Sequence, residues 1–323
     1  MRNCLFIHPK RHLIMKTRIV IVSLVLSFFS VSLKAQQDAQ YTNYMYNTMT
    51  INSAYTGSPG GLSAFLLHRS QWVGLEGAPT TQAFTIHSPV GSSQKVGLGL
   101  SVVNDKIGPV SETSVNANFS YAIETGVEGR LAFGVNAGGQ LLDIAFTELS
   151  QYNPGDIILQ DNIDNRFSPN VGAGIYYNKG NRFYIGASVP NMLETSHFEG
   201  TTLSTAKERM HYNFMGGYVF DLSDDLKFKP AFLAKMVQGS PLQLDVSGNF
   251  LIREKLTLGA AYRWDAAFSA LLGYQVSDRI MLGFGYDREI TELGKTQFNN
   301  GSFEVFLRYE VSQLTKIFSP RFF

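Results

Sequence analysis

The sequence predicts an all-β protein, a transmembrane antiparallel up-and-down β-barrel of about 14 strands preceded by a short helical, plug-like segment. Three observations predict it. The first is a period of two, best seen in the stretch that runs from Lys255 to Asp287. Leu256, Leu258, Ala260, Tyr262 and Trp264 alternate there with Thr257, Gly259, Ala261, Arg263 and Asp265. The pattern returns as Phe268, Ala270, Leu272, Tyr274, Val276 and again as Ile280, Leu282, Phe284, Tyr286. Alternation of this kind is a strand with two unlike faces. The second is the chemistry of the less apolar face, which is mostly Gly, Ala, Ser and Thr with few charges. A water-soluble barrel loads its outer face with charge, whereas a strand with lipid on one side and a crowded polar lumen on the other reads as this one does. The third is composition: 13% aromatic and only 16% charged residues, against about 25% charged in ordinary soluble domains.

The N-terminus comes first in order. Met15 is the expected working start, because Lys16 and Arg18 precede an apolar run, residues 19–33, that ends in Lys34-Ala35-Gln36. This reads as a secretory signal peptide cleaved after Ala35. The run is short of the ~20 apolar residues that a helical span prefers. The one cysteine, Cys4, lies upstream of Met15, so the processed chain has neither disulfide nor thiolate ligand. Removing residues 1–35 takes away six of the 27 basic residues and no acid, leaving 21 against 26, a net charge of −5. The basic footprint of a nucleic-acid-binding protein is therefore absent. The expected division is a leader over 1–35, an N-terminal segment over 36–60, a barrel over 61–311 and a tail over 312–323.

Residues 36–57 lack strand alternation, and Tyr41, Tyr44, Met45, Thr48 and Ile51 recur at helical spacing. A short helix or plug buried at the mouth of the lumen is expected. Strands then follow at 61–72, 80–88, 95–104, 112–123, 130–142, 169–178, 182–189, 208–220, 226–237, 242–251, the three described above, and 302–311. That is fourteen, an even number. The connections after even strands are short, and several after odd strands are long, above all 143–168, 190–207 and 290–301. Short periplasmic turns, long external loops and both termini in the periplasm are the pattern of an outer-membrane barrel. Trp72 and Trp264 both fall at the ends of odd strands, where they read as an outer aromatic girdle. The inward row includes Asn116, Asn118, Ser120, Ser188, Gln243, Asp245, Ser247 and Asn249. Such residues do not make a dry core, and fourteen strands enclose more room than wall side chains fill. Water, loops or the N-terminal segment must occupy the interior.

The chemistry-bearing residues are sparse. The four histidines after position 35, His68, His87, His197 and His211, are isolated in sequence, and no cluster has metal-ligand spacing. No cofactor or metal is expected. Gly97-Leu98-Gly99 and Gly172-Ala173-Gly174 sit inside strands, where they admit close approach of another backbone, and not at the strand-to-helix turn of a phosphate loop. A hydrolase assembled from a serine and a scattered histidine is the enzymatic alternative. Tyr41, Asn43, Tyr44, Asn47 and Asn52 are the candidate partner-binding residues, because mixed aromatic and amide chemistry suits a protein partner; anchoring the segment to the lumen wall is the other role those residues fit.

An ordered series of motifs runs through nearly the whole chain. Gln40-Tyr41-Thr42-Asn43-Tyr44-Met45-Tyr46-Asn47 precedes Ile51-Asn52-Ser53-Ala54-Tyr55-Thr56-Gly57. Arg69-Ser70-Gln71-Trp72-Val73-Gly74, Asn104-Asp105-Lys106-Ile107-Gly108-Pro109 and Phe167-Ser168-Pro169-Asn170-Val171-Gly172 follow. Together these resemble the PorP/SprF outer-membrane proteins of the type IX secretion system. The resemblance implies a barrel that performs no chemistry and sits in outer-membrane lipid. Its partners would be type IX components, a periplasmic peptidoglycan-associated lipoprotein, or one secreted surface protein, in some cases a gliding adhesin, bearing a type IX C-terminal domain. A passive channel for small or hydrophobic solutes is the alternative the polar lumen suggests.

Overall fold

A computed structural model describes residues 40–148, 162–193, 210–296 and 298–312. Strand-forming alternation dominates it. The segments are β1 (Gly61–Ser70), β2 (Thr80–Val90), β3 (Val96–Ile107), β4 (Val110–Glu124), β5 (Gly129–Ile144), β6 (Ile163–Lys179), β7 (Phe183–Val189) and β8 (His211–Tyr218). They continue as β9 (Phe220–Ser223), β10 (Leu226–Val237), β11 (Gln243–Ile252), β12 (Leu256–Arg263), β13 (Ala267–Ser277), β14 (Ile280–Glu289) and β15 (Ser302–Ser312). Both β8 and β9 pair with β10, so they are one strand broken at Val219, and the described residues form fourteen strands. Every neighbour in sequence is an antiparallel neighbour in space. The sheet closes when β15 pairs with β1, from Gly61 opposite Ser312 to Ser70 opposite Phe303. The fold is a closed 14-stranded up-and-down barrel, as the alternation predicts.

The two faces sort as lipid and lumen require. Leu258, Leu272 and Phe284 are 43%, 43% and 37% exposed, while Arg263, Asp287 and Asn249 are buried. The apolar row of the three founding strands therefore points outward. One end of the barrel carries short turns and the other the longer connections; Trp72 and Trp264 both lie at the loop end, just beyond β1 and β12. Two loop-end connections are short all the same, Gly108-Pro109 and Trp264 to Ala266. The β6 strand begins at Ile163, six residues before its expected start, and β5 continues to Ile144. The connection between them is correspondingly shorter than the sequence pattern suggested. The leader, the C-terminal tail from 313, His197 and most of the two longest loops lie outside the described residues.

The interior departs from a uniformly polar tube. Tyr41, Tyr44, Met45 and Ile51 pack with Phe65, Leu67, Tyr176, Tyr184, Leu233 and Phe306 in one apolar cluster. Strand β1 thus presents Phe65 and Leu67 inward and Leu62 and Leu66 outward, apolar on both faces. The reason is the N-terminal segment: where a folded piece of chain fills the lumen, the wall facing it is a protein core and takes core residues.

Candidate functional site: the plugged lumen

The segment before β1 folds as three short turns and not as one helix: a 3-10 turn at Tyr44–Tyr46, a single α-turn at Thr48–Ile51 and a 3-10 turn at Ser53–Tyr55. Asn47 and Asn52 stand between them, and Asn52 favours a local hydrogen bond over helix continuation. The carboxamide of Asn52 accepts from Ala54 N–H at 3.0 Å and so starts the third turn. Tyr41, Tyr44, Met45, Thr48 and Ile51 are all buried, so the helical spacing did mark a buried face even though the helix is broken. Burial pushes the phenols of Tyr44 and Tyr46 above their ordinary value, and both stay neutral at physiological pH.

The plug is bonded to the wall along its length. At the loop end, Glu304 of β15 accepts from Thr42 N–H at 2.9 Å, from Asn43 N–H at 2.8 Å and from Asn43 Nδ2 at 2.8 Å. Arg69 of β1 holds the same carboxylate at 3.3 Å and Asp287 of β14 at 2.6 Å. Thr42 Oγ1 accepts from Arg69 at 2.5 Å and donates to Asp287 at 2.6 Å, which ties the plug into the ion cluster. The three charged side chains are at most 1% exposed. Beside them Arg263 pairs with Asp245 at 2.7 Å and donates to Gln40 Oε1 at 2.8 Å.

Further along, the contacts move toward the turn end and across the barrel. Tyr46 packs at a tilt against Phe306, with the guanidinium of Arg308 and the ammonium of Lys229 5.3 and 5.8 Å from its ring centre. Asn52 Nδ2 donates to the carbonyls of Ile175 at 3.0 Å and Ala187 at 3.3 Å, and Ser188 Oγ donates to Ile51 O at 2.7 Å. Ser120 Oγ donates to Thr56 O at 2.6 Å, and Gly57 N–H donates to His87 Nδ1 at 3.1 Å. Two wall glycines make these approaches possible. A Cβ on Gly134 would run into the backbone of Ser53 and Ala54, and one on Gly97 into the carbonyl of Thr56.

The five candidate residues of the segment are therefore together in the lumen, each at most 7% exposed. Asn43 and Asn52 hold the wall directly; Tyr41 and Tyr44 pack in the apolar cluster; the buried carboxamide of Asn47 makes no side-chain hydrogen bond. Sequence reading placed Arg263 and Asp287 on the inward face but did not pick out Arg69, Asp287 and Glu304 as a cluster. A signal was present: Glu304 sits between Phe303 and Val305, and Arg69 follows Phe65 and Leu67 at the same parity. An ionisable group inside a membrane-spanning strand asks for a buried partner of opposite charge. Of the histidines, His68 faces outward and contacts Ser70, whereas His87 serves the plug. Among the described residues, no group of three or more His, Cys, Asp or Glu could hold a metal ion.

A family model for the type IX secretion system membrane protein PorP/SprF matches residues 33–309. The chain belongs to this family. Membership and a closed barrel with an apolar exterior make this PorP/SprF member an outer-membrane protein. No curated protein matches it. Among solved structures it is similar to the outer membrane protein Omp33 of Acinetobacter baumannii, at 7% identity over 78% of this chain and 99% of that one, TM-score 0.47. It is also similar to the CymD monoaromatic hydrocarbon channel, at 8% identity over 82% and 93%, TM-score 0.49. A Pseudomonas aeruginosa FadL homologue shares 12% identity over 81% and 94%, TM-score 0.46. At such identities each is a likeness of barrel to barrel and nothing more.

Proposed function

We propose that this PorP/SprF protein is a plugged, non-enzymatic outer-membrane scaffold that helps a secreted partner reach or stay on the cell surface. The observation that carries the reading is the plug. A passive channel needs a continuous path, whereas here residues 40–57 are fixed to the wall from the Glu304 cluster at one end to His87 toward the other. Tyr41, Asn43, Tyr44, Asn47 and Asn52 act in this reading by fixing the plug, and Trp72 and Trp264 by setting the outer girdle. The partner is a secreted protein bearing a type IX C-terminal domain, met at the loop end; a periplasmic lipoprotein would be met at the turn end.

Two measurements test it. Purified from its own cells, the protein is expected to bring down a secreted type IX substrate, and deletion of its gene to remove that substrate from the surface. Unchanged surface display of every such substrate would overturn the reading. In a planar bilayer the intact protein is expected to be silent; a steady conductance would favour a channel instead.

A further inference from the structure

The plug has a direction, and the wall residues it meets define it. Strand β15 runs from the loop end at Ser302 to the turn end at Ser312. Thr42 and Asn43 bond Glu304 near its start, whereas Tyr46 lies on Phe306 and beside Arg308, further down the same strand. The plug therefore descends the lumen as its sequence advances. Its last residues complete the descent. Thr56 meets Gly97, the second residue of β3 at the turn end, and a Cβ on Gly57 would strike Pro89, the last residue but one of β2 at that end. Gly61 then opens β1 from the same side.

Gln40 sits at the opposite rim. Its Oε1 accepts from Arg263 at 2.8 Å, and Arg263 is the last residue of β12, followed at once by the short loop-end turn into β13. Asp245 fixes that guanidinium at 2.7 Å. Two facts keep the chain before Gln40 from doubling back to the turn end. The first is reach. Arg263 closes a strand that begins at Leu256, which at about 3.4 Å per residue and a tilt of about 40° sets the rim about 18 Å above the turn end. From Gln36, the residue after the expected cleavage site, to Gln40 the chain spans at most about 14 Å even when fully extended. The second is space. Tyr41, Tyr44 and Met45, 7%, 2% and 2% exposed, pack in the apolar cluster that occupies the way down.

We propose that the chain enters its own lumen from the loop end, so that the processed N-terminus is presented on the cell exterior. The expectation of both termini in the periplasm then holds for one of them: β15 delivers the C-terminal side to the turn end, where Ser312 pairs with Gly61. The amine of Gln36 and the side chains of Gln37 and Asp38 become part of the surface that faces a secreted partner. The scaffold reading does not require this placement and is not required by it.

The test is cysteine labelling of the full chain in its own cells. The one native cysteine, Cys4, precedes the expected cleavage site, so introduced cysteines report without background. Asp38→Cys is the probe, with Gln37→Cys as a second should the first fail to assemble. Glu292→Cys, at a side chain 89% exposed at the loop end, and Val127→Cys, at a residue 85% exposed in a turn-end connection, are the references. The reagent is a polyethylene-glycol maleimide too large to cross the outer membrane, read as a gel shift. Heat-modifiable mobility reports barrel assembly, and mass spectrometry of the N-terminal peptide reports the cleavage site. Positions 38 and 292 are expected to shift in intact cells, and 127 only after the outer membrane is permeabilised. An assembled barrel in which position 38 shifts only together with 127, or in neither state, overturns the proposal. So does a mature chain that keeps its leader, or a barrel in which 127 and not 292 reacts from outside. Co-purification and surface display of the secreted substrate judge the scaffold reading separately.

Discussion

At the scale of single residues, the Arg69, Asp287 and Glu304 cluster shows how charge is tolerated inside the barrel. A buried ion pair returns little net stability, because desolvation offsets most of the attraction. Removing one member is different. Arg69→Met would leave Asp287 and Glu304 buried without a cation, and is expected to cost about 3–5 kcal/mol in urea unfolding from lipid vesicles. Replacing all three together by Met, Leu and Met should recover only part of that loss, because the donors of Thr42 and Asn43 then lose the carboxylates they bond; a triple variant as stable as the parent would show that those plug hydrogen bonds contribute nothing. This is also where the sequence was least legible. The charge, parity and apolar flanks of Arg69 and Glu304 are visible in the chain, but their meeting depends on closure of β15 against β1, a pairing 235 positions apart. Asn52 was legible as a candidate, but not as a donor to two wall carbonyls, since nothing local reports the register of β6 and β7.

At the scale of elements, strands were legible and the plug only half so. Alternation fixed fourteen strands to within a few residues, because a one-residue slip would turn every lipid-facing side chain into the lumen. The exceptions have causes. Strand β1 is apolar on both faces because the plug makes a core against it, and the start of β6 was missed because Ile163-Asp164-Asn165-Arg166 lacks an apolar row. The plug showed its buried spacing but not its three turns, since Asn52 starts the last of them through a side-chain hydrogen bond that periodicity does not carry. The fit of plug to wall leads to a second prediction. Gly134→Val should displace Ser53 and Ala54 while leaving the β4–β5 ladder paired. Amide hydrogen exchange is the measure: Ala54 and Thr56 should exchange faster than in the parent, with β4 amides unchanged. Equal protection of the plug in both proteins would mean that the close approach at Gly134 is not what seats it.

At the scale of the whole molecule, the exterior decides where the protein lives. An arginine in place of Leu272, on the outward row of β13, is expected to cost about 2–4 kcal/mol if it lies near the bilayer midplane. The same substitution on the inward row, Ser269→Arg, should cost less in vesicles, because that row faces polar groups and the Asp287 carboxylate. If the two cost the same, the assignment of faces fails. Composition had already pointed away from a soluble barrel, since 16% charged residues fall short of the roughly 25% of soluble domains. What composition could not give was the content of the lumen.

The plug touches strands on both sides of the β1–β15 seam, from Glu304 on one to Arg69, His87 and Ser188 on the other. A cylinder wrapped around its own beginning has an order of assembly. The first residues of the segment are expected to be in position before the last strand arrives, because Glu304 on that strand is the group they bind. Biogenesis is then bound to hydrogen bonds between residues up to 262 positions apart, which makes for slow closure. Once shut, the protein can release that segment only by stripping Glu304 and Asp287 of the hydrogen bonds they accept from Thr42 and Asn43, which favours a plug that stays in place over one that leaves as a stopper would.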